Sequence, residues 1–261
     1  MQGRNFDDIA DKFSNNIYGT SKGRIRQAIM TEELETILKS FPSGPLSIVD
    51  AGGGEGLLSS TFAARGHQVL LCDLSAEMLQ RASQLADQKG VSENMVFKQI
   101  SAQAVVHCLD EPVDLILSHA VLEWVTEPEA MIASFYQALR PGGVLSLMFY
   151  NLHGLQMQTL ILGNFGYMQA NLKKRKKKTL SPDFPREPAT VYQWLTSAGF
   201  VIEDKVGVRV FHDYLRDKNK QTECIEDILV LEKQFSRQEP FLSLGRYIHV
   251  TARKPVEHIH E

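Results

Sequence analysis

Short apolar runs recur along the first half of the chain, and the stretches between them carry helical rather than alternating spacing. Residues 46–50, 68–73, Met95 to Ser101, Val113 to His119 and Val144 to Tyr150 read as strands. Ahead of them, Ile25, Ile29, Leu34, Ile37, Leu38 and Phe41 form an apolar stripe that predicts helix within residues 5–40, ended by Pro42-Ser-Gly-Pro45. Ser75 is placed to cap a helix that begins Ser75-Ala-Glu-Met78, and Leu139-Arg-Pro141-Gly-Gly143 predicts a tight turn into the fifth strand. Strands alternating with helices predict parallel βαβ units with right-handed crossovers.

The alternation stops at Asn151. From there to Pro188 no strand pattern is visible, and the segment holds the basic run Lys173-Lys174-Arg175-Lys176-Lys177-Lys178. A loop of that length inside a compact domain is functional or disordered. Thr190 to Ala198 then reads as a helix closed by Gly199 and Phe200 to Tyr214 as strand material. The face Ile225, Ile228, Leu229, Glu232 and Phe235 follows as a helix, and Leu244 to Arg253 as a last strand. The expected fold is α/β: a seven-stranded, mostly parallel sheet with its last strand antiparallel and helices on both faces. Residues 1–45 would form a helical cap, and residues 46–261 the main domain with insertions at 151–188 and 215–240.

At 261 residues and 43% hydrophobic the chain can bury one sizeable core. Its net charge of -3 gives no global attraction to nucleic acid, so any such attraction has to be local. The start lacks the apolar core of a signal peptide, and no apolar run approaches the ~18 residues a membrane span needs. A cytoplasmic protein without a membrane partner is expected. Cys72, Cys108 and Cys224 lack metal-ligand spacing, so no metal is expected and the thiols should be reduced.

The phrase Asp50-Ala-Gly52-Gly53-Gly54-Glu55-Gly56 follows the first strand, and Asp73 ends the second. A strand, a glycine turn, a helix and a strand tipped with an acid make half of a nucleotide-binding sheet. A dinucleotide turn would read G-x-G-x-x-G and receive a pyrophosphate, but here the third glycine position is Leu57. The acids at Asp50 and Glu55 would repel phosphate and welcome a cation. S-adenosylmethionine (SAM) carries a sulfonium and an ammonium but no phosphate, and its ribose suits Asp73. The pattern therefore predicts a class I SAM-dependent methyltransferase; a glycine cluster by itself is only a turn. Gly52 and Gly54 would admit the methionine part of SAM. Ala102 and Gln103, past the third strand, would meet the adenine, and His119 would lie near the transferable methyl, as a cofactor contact or a wall residue rather than a base.

The basic run, read alone, is a solvated loop or a nuclear-targeting address. Its place on an acidic chain beside Phe165, Tyr167 and Phe184 favours a polyanion, since aromatics stack unpaired bases while Lys and Arg follow phosphates. Arg209 and Arg246 fall in strands that should be apolar, which indicates anion recognition or an internal partner such as Asp204 or Glu203. Trp124 and Trp194 read as core.

Over nearly its whole length the chain resembles the bacterial tRNA 5-carboxymethoxyuridine methyltransferases. The resemblance rests on Asn5-Phe-Asp-Asp-Ile-Ala, the glycine phrase, His119-Ala-Val-Leu-Glu-Trp124-Val, Leu139 to Asn151, Thr179-Leu-Ser-Pro-Asp183, Gly207 to Tyr214 and Leu244 to Lys254. It implies methyl transfer from SAM to the carboxylate of 5-carboxymethoxyuridine at the wobble position of tRNA. It also implies that Arg26 holds the SAM carboxylate, that Tyr150, Asn151, Arg209, Arg246 and Tyr247 are acceptor contacts, and that Lys173 to Lys178 face the anticodon stem-loop. A carboxylate is already ionised at neutral pH, so no catalytic base is expected. Two other readings stay open: a methyltransferase for a small molecule, which would have no use for the basic run, and a SAM-binding RNA protein without turnover.

Overall fold

The computed structural model describes residues 20–173 and 182–256. Its elements are helix α1 (Ser21–Lys39), strand β1 (Ser47–Ala51), α2 (Leu57–Ala63), β2 (Gln68–Asp73), α3 (Ala76–Lys89), β3 (Met95–Gln99), β4 (Val113–His119), α4 (Pro128–Ala138) and β5 (Leu139–Tyr150). There follow α5 (Leu152–Ile161), α6 (Phe165–Gln169), α7 (Pro188–Ser197), β6 (Val201–Val208), two short helices at Lys220–Glu223 and Ile225–Phe235, a turn of helix at Phe241–Leu244, and β7 (Tyr247–Arg253).

The seven strands form one sheet in the order β3-β2-β1-β4-β5-β7-β6. Strands β1 to β5 pair parallel, and β7 inserts antiparallel between β5 and β6. The order reverses between β1 and β4, the crevice where ligands of open α/β sheets bind.

Central strands are apolar on both faces because helices cover both. In β4, Ile116 packs in the layer of Met131, Ile132 and Phe135 from α4 and Val191 and Leu195 from α7. Its neighbours Leu115 and Leu117 pack in the opposite layer with Ile25 and Ile29 of α1 and Phe62 of α2. Local chemistry sets the helix ends that aim the site. Thr20 caps α1 by accepting from Gly23 N–H at 3.2 Å, and Ser75 caps α3 by accepting from Met78 N–H at 3.1 Å.

Several boundaries move from the sequence reading. The turn expected at residues 139–143 lies inside β5: pairing jumps from Val113↔Leu139 to Leu115↔Val144, and Gly142 takes φ +82° to let it. The segment after Asn151, expected as irregular, is helical over α5 and α6. Asn151 starts it, its Oδ1 accepting from His153 N–H at 3.0 Å. The strand expected from Leu244 begins at Tyr247, behind the helical turn at Phe241–Leu244. Residues 1–19 and 174–181 lie outside the described residues, and with them most of the basic run: Lys174, Arg175, Lys176, Lys177 and Lys178.

Candidate active site

The glycine turn closes on itself in a way that selects its ligand. Gly52 N–H and Gly53 N–H both donate to Cys72 O, at 2.8 and 3.2 Å, and Gly54 N–H donates to Asp73 Oδ2 at 3.0 Å. Those donors are engaged within the protein, so the turn does not offer them to a phosphate. Gly52 and Gly54 sit at φ +81° and +56°, where a side chain is strained. A Cβ on Gly52 would lie 2.5 Å from Val121 Cγ2, and one on Gly53 would lie 2.7 Å from the Asp50 carboxylate.

The two acids of the glycine phrase do other work than expected. Asp50 is buried under Gly53 and accepts from Ser59 Oγ at 2.6 Å. Burial pushes its carboxyl up to about 6, with the Asp73 charge adding and the Ser59 bond and Arg26 opposing. Glu55 pairs with Arg81 of α3 at 3.1 Å. Asp73 has its Oδ1 on Ser75 N–H at 2.9 Å, so both carboxylate oxygens are aimed by backbone donors at the tip of β2. Ala102 and Gln103 begin the 3-10 segment after β3. Gln103 O accepts from Ser134 Oγ at 2.8 Å, which fixes that backbone.

His119 ends β4, with Ala120 behind it in the left-handed region at φ +63°. Its Nε2 meets Ser146 Oγ at 2.9 Å, and the same hydroxyl meets His249 Nε2 at 2.7 Å. Burial, then His249 and Arg26, push the His119 imidazole well below its ordinary value, so it is neutral at pH 7. Arg26 makes no ion pair with a described residue, yet its charge acts on Asp50, His119, Glu123 and Tyr247. A cation facing the strand ends with no ion-pair partner among the described residues, an oriented carboxylate at Asp73 and a cradle that admits no Cβ fit the carboxylate, ribose and methionine of SAM.

Next to this half of the site lies a cationic cluster. Asp213 Oδ2 accepts from Arg246 Nε at 2.7 Å and Arg209 Nη2 at 3.1 Å, and Asp213 Oδ1 faces His212 Nδ1 at 2.9 Å. Arg246 also donates to Tyr150 OH at 2.9 Å and to Gln158 Oε1. The arginines therefore do not pair with Asp204 or Glu203, which hold Arg237 and Arg253 instead. Arg246 thus has Nε and both terminal nitrogens engaged within the protein. Arg209 differs: its Nε is buried without a hydrogen-bond partner among the described residues, and its backbone is left-handed at φ +60°. Arg209 also lies over the Tyr247 ring at 5.5 Å, and the Tyr150 and Tyr247 rings meet edge to face at 5.4 Å.

Asn151, expected as an acceptor contact, has its side chain engaged within the protein. It is fully buried, and its Nδ2 donates to Ser243 O and Gly245 O, both at 2.8 Å, while its Oδ1 caps α5. Lys22, four residues before Arg26 and so on the same helix face, is a cation the sequence reading missed. Burial lowers its pKa; Asp213 raises it, and Arg209, Arg246 and Lys218 lower it further. Lys22, Arg209, Arg246 and Lys218 thus gather around Asp213, while the neighbouring Glu232 carboxylate is taken up by the Val210, Phe211 and His212 N–H groups. Among the described residues no cluster of His, Cys, Asp and Glu could hold a metal ion.

The methyltransferase domain family matches residues 49–147. The chain is 59% identical over 255 residues, 98% of both chains, to the tRNA 5-carboxymethoxyuridine methyltransferase of Escherichia coli (strain K12). It is 30% identical over 70% of this chain and 72% of the relative to the ubiquinone biosynthesis O-methyltransferase of Xylella fastidiosa. In fold it is similar to the magnesium protoporphyrin IX methyltransferase of Synechocystis with bound SAH, with a TM-score of 0.64 over 95% of each chain at 16% identity. The glycine cradle, the oriented Asp73 and the near full-length likeness agree: this chain belongs to the tRNA 5-carboxymethoxyuridine methyltransferase family of SAM-dependent enzymes.

Proposed function

We propose that the protein transfers a methyl group from SAM to the carboxylate of 5-carboxymethoxyuridine at the wobble position of tRNA, forming the methyl ester. The observation that carries this reading is the Tyr247 ring at the start of β7, with the Arg209 guanidinium over it at 5.5 Å and the Tyr150 ring edge-on at 5.4 Å, which joins the cationic cluster to the strand ends. An anionic acceptor drawn to Lys22 and Arg209 would lie against the methyl end of SAM.

SAM, when bound, supplies a methyl group on a positively charged sulfur. Arg26 holds its carboxylate, Gly52, Gly53 and Gly54 line its methionine, Asp73 takes the ribose hydroxyls, Ala102 and Gln103 flank the adenine, and His119 walls the methyl end as a neutral group. Tyr247, Tyr150 and Arg209 hold the acceptor, and Arg246 keeps Tyr150 in place. No residue has to remove a proton, because the acceptor arrives as the anion. What the chain contributes is alignment and exclusion of water from a meeting of opposite charges.

RNA contact falls to the 151–188 insertion. Its described part exposes Leu160, Ile161, Leu162, Phe165, Lys173 and Phe184. Apolar and aromatic surface next to cations suits an anticodon loop, whose bases stack while its phosphates pair. A tRNA substrate supports a cytoplasmic enzyme. No helix among the described residues is long and apolar enough to cross a membrane. Incubation with labelled SAM and tRNA bearing 5-carboxymethoxyuridine tests the reading: label should enter the RNA and be released by mild alkali. Label in a small metabolite and none in the RNA would refute it.

A further inference from the structure

Glu123 lies in the 3-10 turn just past β4 and is 1% exposed. Its Oε2 is buried with no hydrogen-bond partner among the described residues, a condition that buried polar atoms avoid unless a ligand or water meets them. Groups from four elements act on it: Arg26 from α1, the Tyr150 backbone N–H from the end of β5, Tyr247 from the start of β7, and Arg186 from the segment before α7. Arg186 is itself anchored to Leu122 O at 2.8 Å and to Val125 O, so the turn that carries Glu123 is held from behind. Burial pushes the carboxyl up to about 7, although its own and the Tyr150 backbone N–H groups and the charges of Arg26 and Arg186 all pull it down. At neutral pH about half of the group is thus the neutral acid, a donor rather than a charge, and most of it is below neutrality.

The acceptor needs such a donor. Arg246 is engaged by Asp213, Tyr150 and Gln158, which leaves Arg209 to attract the acceptor, and an uncharged donor beside it withdraws less charge from the attacking oxygen than a second guanidinium would. We propose that the Glu123 carboxyl, as the acid, donates from Oε2 to the oxygen of the acceptor carboxylate that is not methylated, and so selects a carboxylate acceptor. The proposal rests on the function assigned above. The other acceptor oxygen forms the new O–C bond as the donor's S–C bond breaks, the electron pair stays on sulfur, and Glu123 keeps its proton throughout. The neutral ester accepts this hydrogen bond more weakly than the anion did, which favours release. An ionised Glu123 would repel the acceptor inside a water-poor site.

The test compares wild type with Glu123→Gln and Glu123→Ala, at saturating SAM and varied tRNA bearing 5-carboxymethoxyuridine, from about pH 6 to about pH 9, because kcat/KM reports the free enzyme and kcat the complex. In wild type kcat/KM should fall by about tenfold per pH unit once Glu123 ionises, while kcat stays level because the bound anion holds the proton on Glu123. Gln donates at every pH, so its kcat/KM should be level, whereas Ala should lose about tenfold or more at pH 6 with SAM affinity by calorimetry retained. A Gln variant with the wild-type slope, or a wild type with none, overturns the proposal while leaving the function intact. If wild type forms no ester on this RNA at any pH, the function reading fails and the proposal falls with it.

Discussion

Arg246 and Asp213 are bound to each other across the strand ends, Nε to Oδ2 at 2.7 Å, with both side chains nearly out of solvent. Burial alone would raise the Asp213 carboxyl, but the His212 hydrogen bond and the charges of Arg209 and Arg246 outweigh it and hold it well below the usual carboxylate range. Removing one partner of a buried ion pair leaves the other charge uncompensated. Asp213→Ala should therefore cost about 3–5 kcal/mol of stability at neutral pH. A carboxyl with a depressed folded-state pKa contributes stability that is present above its unfolded value of about 4 and is lost as pH falls below it. Urea melts should show the gap between wild type and mutant narrowing below about pH 4. A gap that is small at neutral pH would mean that the arginines find other partners.

Asp73 is held by Gly54 N–H and Ser75 N–H at the tip of β2, where the proposed function has it meet the ribose of SAM. Asp73→Ala should weaken SAM by about 1.5–3 kcal/mol, the range for a hydrogen bond to a charged group, in a protein that still unfolds cooperatively. Calorimetry is the measurement, and an unchanged affinity in a folded mutant takes Asp73 out of the site.

The parts of the molecule that depend on short stretches of chain were legible in its sequence. The five parallel strands, the Ser75 cap and the glycine turn follow from local spacing, and the turn's place after β1 made the SAM reading possible. Partners from distant elements were not legible. Arg246 meets Asp213 rather than Asp204 or Glu203, because nearness along a strand says nothing about which side chains share its end. Asn151 sits beside the site in sequence but turns into the protein to cap α5. Helix α5 escaped notice because it buries little: Leu160 and Ile161 are exposed, so no apolar stripe marks it. The left-handed backbone at Ala120 and Arg209 carries no signal either, since neither is a residue type that favours it.

The basic run extends from Lys173, at the edge of the described residues. Replacing four of its six cations with Ser should weaken binding to all RNA sequences and flatten the salt dependence, by about 0.7 in log–log slope for each single-strand phosphate no longer neutralised. SAM affinity should not change. Filter binding across a salt series decides this, and an unaltered slope would make the run a solvated loop.

Methyl transfer with both substrates bound should vary little between about pH 6 and pH 8.5, because the acceptor titrates near 4 and arginines above 12. Single-turnover rates with prompt quenching measure it. His119, half-buried and neutral, has no proton to take from an acceptor that is already ionised. A tenfold fall towards pH 6 that disappears in His119→Asn or His212→Asn would contradict this and point to an acceptor hydroxyl.

The most direct measurement is mass spectrometry of the wobble nucleoside after the purified protein acts on tRNA carrying 5-carboxymethoxyuridine with SAM. The expected product is a nucleoside heavier by one CH2 unit that mild alkali returns to the acid, as an ester must. A nucleoside of unchanged mass, or a methyl group that survives alkali, would contradict carboxylate methylation.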